Sequence, residues 1–508
     1  MPQESSREDL LALVALLRAE RHEAASRSDA LVAALRAERD EDRARTERLL
    51  VQVGELTAQV QALVLRLGKD SSTSSTPPSS DDPNRRPRGG SSRERSGRKA
   101  GKQPGAPGAG LALVADPDEK VVIPAPMQCT CGAPLVDAPV TGVRRRQVHD
   151  LAPQPAPVVL EYAAEVKDCP ACHQSAVGEF PQGVSAPTQY GPELTARVAD
   201  VVLGHYVPVH RSTLLVEELV GMKVSTGFAA SLRGRAQDLI VEGGFVEAVK
   251  ALLAGAPVVH ADETFARAKG KIAYVHVACT EHLTLMHTGD RSGATIDAGG
   301  VLAELTGVLV RDGYVGYAHL TNVLHAWCGA HLLRDLRGIY EADAGGQLWA
   351  KAMADTLLEA HRVATAARDG GRVELTGTEL AVINGLYTGA LARARTDNPA
   401  ANTTVLAGHA RTLAKRFDTH REMILRFTTN LDVGFTNNVA ERAVRPVKVQ
   451  QRSSGGCWRT LEGLAQFAVV QSYLSTAAYW GITRFEALHR LFTTGPWIPP
   501  ALTPAAAA

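Results

Sequence analysis

Three acidic residues lie in sequence contexts that could place a divalent metal ion beside a phosphodiester. Asp262 closes the apolar run APVVHAD, Asp312 closes the apolar run GVLVRD, and Glu441 lies in NNVAERAVRP. Two carboxylates brought close together repel each other, and a divalent cation relieves that repulsion. Two such ions can activate an attacking oxygen and stabilise a leaving oxygen at phosphorus. These residues therefore predict phosphoryl transfer that depends on Mg²⁺ or Mn²⁺.

Positive charge follows the third acid. The cations are spaced mostly three and four residues apart, which would place them next to Glu441 on a helix. Such charge beside a metal site suits contact with a DNA backbone. The predicted DNA contacts in this segment are Arg442, Arg445, Lys448 and Arg452.

A small sheet must position the first two acids. Residues 256–262, 271–279 and 282–287 predict an antiparallel meander, and a helix is expected near 295–305. Strands at 307–312 and 322–327 complete the order βββαβαβ. That order, with acids closing the first and fourth strands, is the ribonuclease H-like layout of an α/β core. The first and fourth strands are neighbours in it, so Asp262 and Asp312 are expected to converge.

The third acid is far along the chain from the second. The predicted core is therefore divided into a first part at 256–344 and a Glu helix at 431–460. Between them, residues 345–430 are rich in Leu, Ala and Arg and predict an all-helical insertion. The insertion either covers the DNA ends or only packs on the core. Residues 461–508 are expected to form C-terminal helices and a tail.

Other ionisable residues near the predicted site have simpler explanations. Glu263 should point to the opposite strand face from Asp262. Asp290 and Asp297 are typical of capping positions, and Asp335 and Glu341 of surface charges. The pair Cys328 and His331 could form a local metal site, but a phosphate contact or a packing role for His331 is preferred.

Four of the seven cysteines fall in the Val- and Pro-rich residues 111–185. Two close pairs of thiolates are what a closed tetrahedral Zn²⁺ site requires, so a zinc-finger-like module with structural Zn²⁺ is predicted. Four reduced, unrelated thiols are the alternative. The proposed ligands are Cys129, Cys131, Cys169 and Cys172.

Residues 186–255 predict a helical, helix-turn-helix-like DNA-binding region. Gly221 would supply the turn, Val224 its buried residue, and Ser225 the N-cap of a second helix. That helix would present Arg233 and Arg235 toward a groove of DNA. A plain helical hairpin is the alternative.

The N-terminal part predicts a long helix and a linker. In residues 1–68, Leu49, Val53, Leu56, Val60, Leu63 and Leu67 follow an a/d heptad seam. The seam indicates a dimerising coiled coil, or else an amphipathic helix packed on its own protein. Residues 69–110 are rich in Ser, Pro and Gly and should form a flexible linker. Its cations, Arg98, Lys99 and Lys102 among them, suit a mobile DNA-binding arm or a solubilising tether.

Composition limits the class of protein. The chain has 508 residues, 45% of them hydrophobic, and a formal net charge of +1, so a wholly disordered chain and a globally basic DNA binder are excluded. Seven cysteines do not suggest a disulfide scaffold. No long apolar run indicates a membrane span, and the N-terminus lacks the pattern of a secretory signal. A cytoplasmic, nucleoid-associated protein is expected.

These motifs in this order resemble the DDE transposases of the insertion sequence sixty-six family. HADET, RDGYVGY and NNVAERAVRP match the family's three acid motifs, which carry over to Asp262, Asp312 and Glu441. CGAHLLRDL resembles its Cys-Trp-x-His element, although Gly329 stands where the family has Trp. After the third acid, QQRSSGG replaces the usual RKN run.

The resemblance implies a transposase that cuts insertion-element ends and joins the 3′-hydroxyls to target DNA. Its partners would be terminal inverted repeats, target DNA, a second copy of the chain through the coiled coil, and element-encoded helper proteins. Three alternatives stay open: a metal-dependent nuclease that never joins, a decayed DNA-binding regulator, and a zinc-stabilised scaffold without a DNA role.

Overall fold

The structure, a computed structural model, describes residues 7–68, 112–150, 157–181 and 183–501. It is a mixed α/β protein with a five-stranded mixed sheet and many helices. Two compact units divide the chain: residues 89–232, and residues 233–508 with the N-terminal segment up to residue 88. The predicted linker, with Arg98, Lys99 and Lys102, lies outside the described residues. None of the described helices is long and apolar enough to span a membrane.

A single long helix, α1, spans Arg7–Gly68. It forms where Leu, Ala, Arg and Glu dominate and Pro is absent, as these propensities predict. The seam side chains from Leu49 to Leu63 are each more than half exposed. No described part of the same chain therefore covers this apolar seam.

In the unit of residues 89–232, the described residues before the helices have little regular structure. Two three-residue strands, β1 (Val166–Asp168) and β2 (Ser175–Val177), pair antiparallel on either side of the CPAC turn. Helices α2 (Pro192–Ala199) and α3 (Val209–Val220) follow. The next helix, α4, spans Thr226–Glu242 and continues into the other unit.

The junction between α3 and α4 has the geometry that the sequence predicts. Gly221 takes a left-handed conformation with φ of 70°, which glycine adopts without strain. Val224 is buried. The Ser225 Oγ accepts a hydrogen bond from the Phe228 N–H at 3.1 Å, which caps α4.

In the larger unit, helix α5 (Phe245–Ala254) leads into the five-stranded sheet. Its strands are β3 (Val258–Ala268), β4 (Lys271–Cys279), β5 (Thr284–Gly289), β6 (Val308–Arg311) and β7 (Leu324–Trp327). They lie in the order β5-β4-β3-β6-β7. The first three in this order are antiparallel neighbours, and β6 and β7 run parallel to β3.

Two predicted boundaries in the sheet region were wrong. Strand β3 does not end at Asp262 but continues to Ala268, because the residues after the acid pair with β4. The two strands are joined at Lys269 and Gly270, whose φ angles of 51° and 78° give a tight turn. The expected helix near 295–305 is the shorter α6, Gly293–Ala298.

Residues 345–430 contain helices and turns, without a strand, and all of them are described. Trp349, Met353, Tyr387 and Phe417 are fully buried among these helices, and the Tyr387 hydroxyl donates to the Phe417 carbonyl at 2.8 Å. These side chains belong to the same buried cluster as Val310 of β6 and Trp327 of β7, so the core of this segment is continuous with one face of the sheet. The helices from the end of β7 onward are α7 (Gly329–Ala342), α8 (Leu348–Asp369), α9 (Gly377–Asp397), α10 (Val405–Thr419), α11 (Arg421–Ile424) and α12 (Arg426–Thr429).

The predicted Glu helix is two helices. Helix α13 spans Asn438–Ala443, and α14 spans Arg445–Ser453. Pro446 lies in the first turn of α14, where a residue without an N–H begins a helix rather than continuing one. Glu441 and Arg442 are thus on one short helix, and the other predicted cations are on the next.

The C-terminal helices complete the sheet. Helix α15 spans Leu461–Tyr479, and α16 spans Arg484–Thr493. Hydroxyls of α15 satisfy backbone groups of the edge strand β5: the Thr284 N–H donates to Thr476 Oγ1 at 3.1 Å, and the Met286 N–H donates to Ser472 Oγ at 2.8 Å. An edge strand covered in this way cannot pair with another chain.

Candidate active site

The first two predicted acids lie on neighbouring parallel strands. Val258 pairs with Val308 and His260 with Val310 across β3 and β6. The same register, carried two residues further, places Asp262 opposite Asp312. Asp312 follows β6 directly, and its Oδ1 accepts a hydrogen bond from the Tyr314 N–H at 2.9 Å, which fixes the carboxylate.

The charges of the other two predicted acids act on Asp262. Burial raises the pKa of Asp262 well above its usual range, and the negative charges of Glu263, Asp312 and Glu441 raise it further. A carboxyl group surrounded by three others needs a compensating positive charge to ionise. This is the environment expected at a cation site.

Glu441 lies in the first turn of α13 and faces the start of α7. Its Oε1 is 3.8 Å from Nδ1 of His331, and neither buried atom has a hydrogen-bond partner among the described residues. The Sγ of Cys328 completes a group in which the three ligand atoms lie within 4.8 Å of one another. These residues form a possible Cys/His/Glu metal site.

Cys328 is buried and His331 is partly buried, and the two have different surroundings. Burial raises the pKa of the Cys328 thiol to about 11. The Sγ accepts a hydrogen bond from the Asn437 N–H at 3.2 Å. Burial, and then the charge of Arg334, lower the pKa of His331, while the charges of Asp312, Glu441 and Asp335 oppose this shift.

Asn437 connects the elements that carry the acids, and sequence reasoning missed it. Its Nδ2 donates to the Ala261 carbonyl at 2.8 Å, and its Oδ1 lies 2.9 Å from His260 Nδ1. Its carbonyl accepts the Glu441 N–H at 3.1 Å. One buried amide therefore joins β3, the start of α7 and the Glu441 helix. The only available signal was its position at the start of NNVAER, before the acid.

Glu263 has partners separate from those of Asp262. Its side chain is 2% exposed and accepts hydrogen bonds from Arg291 Nε at 2.8 Å and from the Tyr317 hydroxyl at 2.7 Å. The guanidinium of Arg291 stacks on the Tyr314 ring, and the Tyr314 hydroxyl donates to the Arg291 carbonyl at 2.6 Å. This network fixes the loop that follows Asp312.

Among the remaining acids, one expectation was wrong. Asp335 is not a surface charge: it is 12% exposed and pairs with Arg416 Nη2 at 2.6 Å, which joins α10 to α7. Glu341 pairs with Arg337 at the surface. Asp290 caps the turn before α6, where its hydrogen bonds to Ser292 and Thr295 lower its pKa to about 2.

The four cysteines of the predicted zinc module form two tight turns. Hydrogen bonds from Cys131 lower the pKa of Cys129, and hydrogen bonds from Cys172 and Ala171 lower the pKa of Cys169. Among the described residues, no three of these thiols lie within ligand distance of one another. The zinc site stays a prediction.

The predicted DNA contacts differ in their availability. Arg442, Arg445 and Arg452 are exposed. Lys448 donates to the Phe265 carbonyl at 2.6 Å and lies 3.5 Å from the centre of the Phe265 ring, while burial lowers its pKa to about 8. This lysine fastens α14 to β3.

The two arginines of α4 are not equivalent either. Burial lowers the pKa of Arg233, and its Nε has no hydrogen-bond partner among the described residues. Arg235 is exposed and lies over the Phe492 ring at 5.6 Å. For all of these cations, contact with DNA stays a prediction.

Comparison with known proteins adds two family matches. A model described as Transposase IS66 family matches residues 187–466, more than half of the chain. A model described as a family of unknown function (DUF6444) matches residues 18–112. No curated protein matches the chain.

Proposed function

The chain belongs to the IS66 family of transposases, and on that premise we propose that it cleaves the ends of its insertion element and joins the 3′-hydroxyls to target DNA. The family makes it an enzyme that acts on DNA and implies dependence on a divalent metal. The observation that supports the finer proposal is that Asp262 and Asp312 extend neighbouring parallel strands, and that the charges of Asp312 and Glu441 both raise the pKa of the buried Asp262 carboxyl.

We propose that the five-stranded sheet is a ribonuclease H-like core. The order β5-β4-β3-β6-β7, with three antiparallel strands followed by two parallel ones, supports this assignment. So does the position of the acids, since Asp262 lies on the central strand and Asp312 follows its parallel neighbour. In this assignment residues 345–430 are the helical insertion, which would cover the bound DNA ends.

The donor set fits Mg²⁺ or Mn²⁺. Three carboxylates are hard oxygen ligands, and the buried Oε1 of Glu441 lacks a protein partner among the described residues. Asp262, Asp312 and Glu441 would hold the ions. When bound, the metal supplies activation of the attacking oxygen and charge stabilisation of the leaving oxygen.

The chain's own residues would orient the reaction. The hydrogen bond from the Tyr314 N–H holds the Asp312 carboxylate, and Asn437 holds the Glu441 helix against β3. Exposed Arg442, Arg445 and Arg452 would bind phosphates beside the acids. In-line attack then needs only correct placement of water, or of a 3′-hydroxyl, against phosphorus.

Recognition and pairing of the two ends would belong to the other parts of the chain. We assign recognition of the terminal inverted repeats to the helix-turn-helix-like α3–α4 region and to the cysteine module with structural Zn²⁺. The basic arm with Arg98, Lys99 and Lys102 would add sequence-independent DNA affinity. Helix α1 would pair two subunits, and helper proteins of the element would take part. The protein would act in the cytoplasm, at the nucleoid.

Cleavage of a labelled duplex that carries the element's own ends tests this proposal. The protein is compared with Asp312→Asn and with Asp432→Asn, an exposed aspartate outside the three acid motifs. We expect metal-dependent nicking at the end and joining to a target duplex, both lost only in Asp312→Asn, with DNA binding retained. Nicking without joining would indicate a nuclease. Specific binding without cleavage, even with the element's helper proteins added, would indicate a decayed regulator.

A further inference from the structure

Two buried polar atoms near the acids have no partner among the described residues. They are Nδ1 of His331 and Oε1 of Glu441. Leaving a buried polar atom unsatisfied is unfavourable, because the atom has lost its hydrogen bonds to water. Their separation of 3.8 Å is too long for a hydrogen bond between them. A ligand bound to both the His331 nitrogen and the Glu441 oxygen would remove this unfavourable contribution to the free energy.

The separation fits two ligands of one metal ion. Bonds of about 2.1 Å place adjacent octahedral ligands roughly 3.0 Å apart and opposite ligands roughly 4.2 Å apart. The observed 3.8 Å lies between these two separations, so a side-chain shift of less than about 1 Å would give either arrangement. Imidazole nitrogen and carboxylate oxygen are both ordinary ligands of divalent transition metals.

The third member of the group, Cys328, has a different role. Its Sγ accepts the Asn437 N–H, and sulfur is a poor ligand for a hard ion. The same contact holds the residue that begins the Glu441 helix. Cys328 is therefore a support for the site rather than a metal ligand.

We propose that His331 is a nitrogen ligand of the divalent ion bound at Glu441, so that the site consists of three carboxylates and one imidazole. This inference rests on the proposed function, because Glu441 is the shared ligand. Its consequence is a changed metal preference. Mg²⁺ favours oxygen ligands, whereas Mn²⁺ accepts a nitrogen more readily, so the site should prefer Mn²⁺.

The test is electron spin echo spectroscopy of Mn²⁺ bound to the full-length protein, which detects nitrogen coordinated to the metal. We expect a coordinated-nitrogen signal that changes when the protein is made with ¹⁵N-labelled histidine. His331→Gln should lose the signal and bind Mn²⁺ about tenfold more weakly or worse. His409→Gln, at an exposed histidine, and Cys328→Ser should both keep it.

The outcomes separate this inference from the proposed function. Bound Mn²⁺ that is lost in Asp312→Asn but shows no histidine nitrogen would overturn the role of His331 and leave the transposase proposal intact. Loss of bound Mn²⁺ in Cys328→Ser, with an unchanged thermal midpoint, would assign the site to a thiolate and also overturn it. Mn²⁺ binding that is indifferent to Asp312→Asn would count against both. The measurement with ¹⁵N-labelled histidine uses the unchanged protein, so misfolding of His331→Gln would not hide the result.

Discussion

At the residue scale, the buried amide of Asn437 determines where the third acid lies. Its side chain bonds to β3, its N–H to Cys328, and its carbonyl to the Glu441 N–H. Moving a catalytic group by about 1 Å can cost roughly 100-fold in rate. The amide is therefore a positioning residue, although it touches no reacting atom.

Replacing this amide should impair metal binding as well as folding. In Asn437→Ala, the Ala261 carbonyl and the His260 imidazole lose their partners, which costs about 2–4 kcal/mol of unfolding free energy. We expect cleavage to fall about 100-fold and the half-saturating Mg²⁺ concentration to rise, with partial recovery at high Mg²⁺. Cleavage rates measured across a Mg²⁺ titration check this.

Asn438→Ala is the matched control, because the neighbouring Asn438 is exposed. It should behave like the unchanged protein. If Asn437→Ala lowers the thermal midpoint but leaves the Mg²⁺ dependence of cleavage unaltered, Asn437 is only structural and the positioning role is refuted.

The sequence could predict the acids but not what holds them. An acid at the end of an apolar run is a local signal, and Asp262 and Asp312 could be paired from the expected strand order. Asn437 bonds to Ala261, which lies 176 residues earlier in the chain, and no local pattern encodes that contact. Asp335 was misassigned for the same reason, since its partner Arg416 lies on a distant helix.

At the element scale, α14 divides its cations between two tasks. Arg445 is exposed in its first turn, whereas Lys448, one turn later, bonds to the Phe265 carbonyl of β3. Spacing alone predicted DNA contact for both residues. It could not reveal that Pro446 starts a new helix and turns Lys448 toward the sheet.

Substitutions of Arg445 and Lys448 should affect different properties: DNA binding for Arg445 and stability for Lys448. Arg445→Gln should lower the slope of log K against log salt by about 1, because one phosphate contact is lost. Lys448→Met should leave that slope unchanged but reduce the unfolding free energy by about 1 kcal/mol, because it loses a charged hydrogen bond. DNA titrations at several salt concentrations, with urea unfolding of each variant, measure both effects. Equal changes of slope in the two variants would show that Lys448 leaves β3 to bind DNA.

The ends of the elements were also harder to predict than their existence. The strands and the helices of 345–430 follow from apolar patterns and propensity. The extension of β3 beyond Asp262 depends on pairing with β4 through the turn at Lys269 and Gly270, a tertiary contact. The strand propensity of Glu263 and the residues after it does not predict this extension.

At the scale of the whole molecule, α1 exposes an apolar seam that its own chain leaves uncovered in the described residues. A helix of 62 residues is about 93 Å long, far more than a small domain could bury. Heptad spacing of Val and Leu is the pattern that a second helix covers by knobs-into-holes packing. A second copy of the chain, paired along α1, would bring two catalytic sites together, as cutting two element ends requires.

A charge placed in the seam should separate the subunits. In Val53→Glu, two glutamates would face each other in the dimer, whereas Val51→Glu places the same charge outside the seam. Both valines are exposed in the single chain, so neither substitution should unfold it. We expect light scattering to give about twice 54.0 kDa for the unchanged protein and for Val51→Glu, and about 54.0 kDa for Val53→Glu.

Val53→Glu should still nick single ends but lose coupled cleavage of two. A dimer that survives Val53→Glu would mean that the subunits meet elsewhere, and α1 would then have to be covered by another partner.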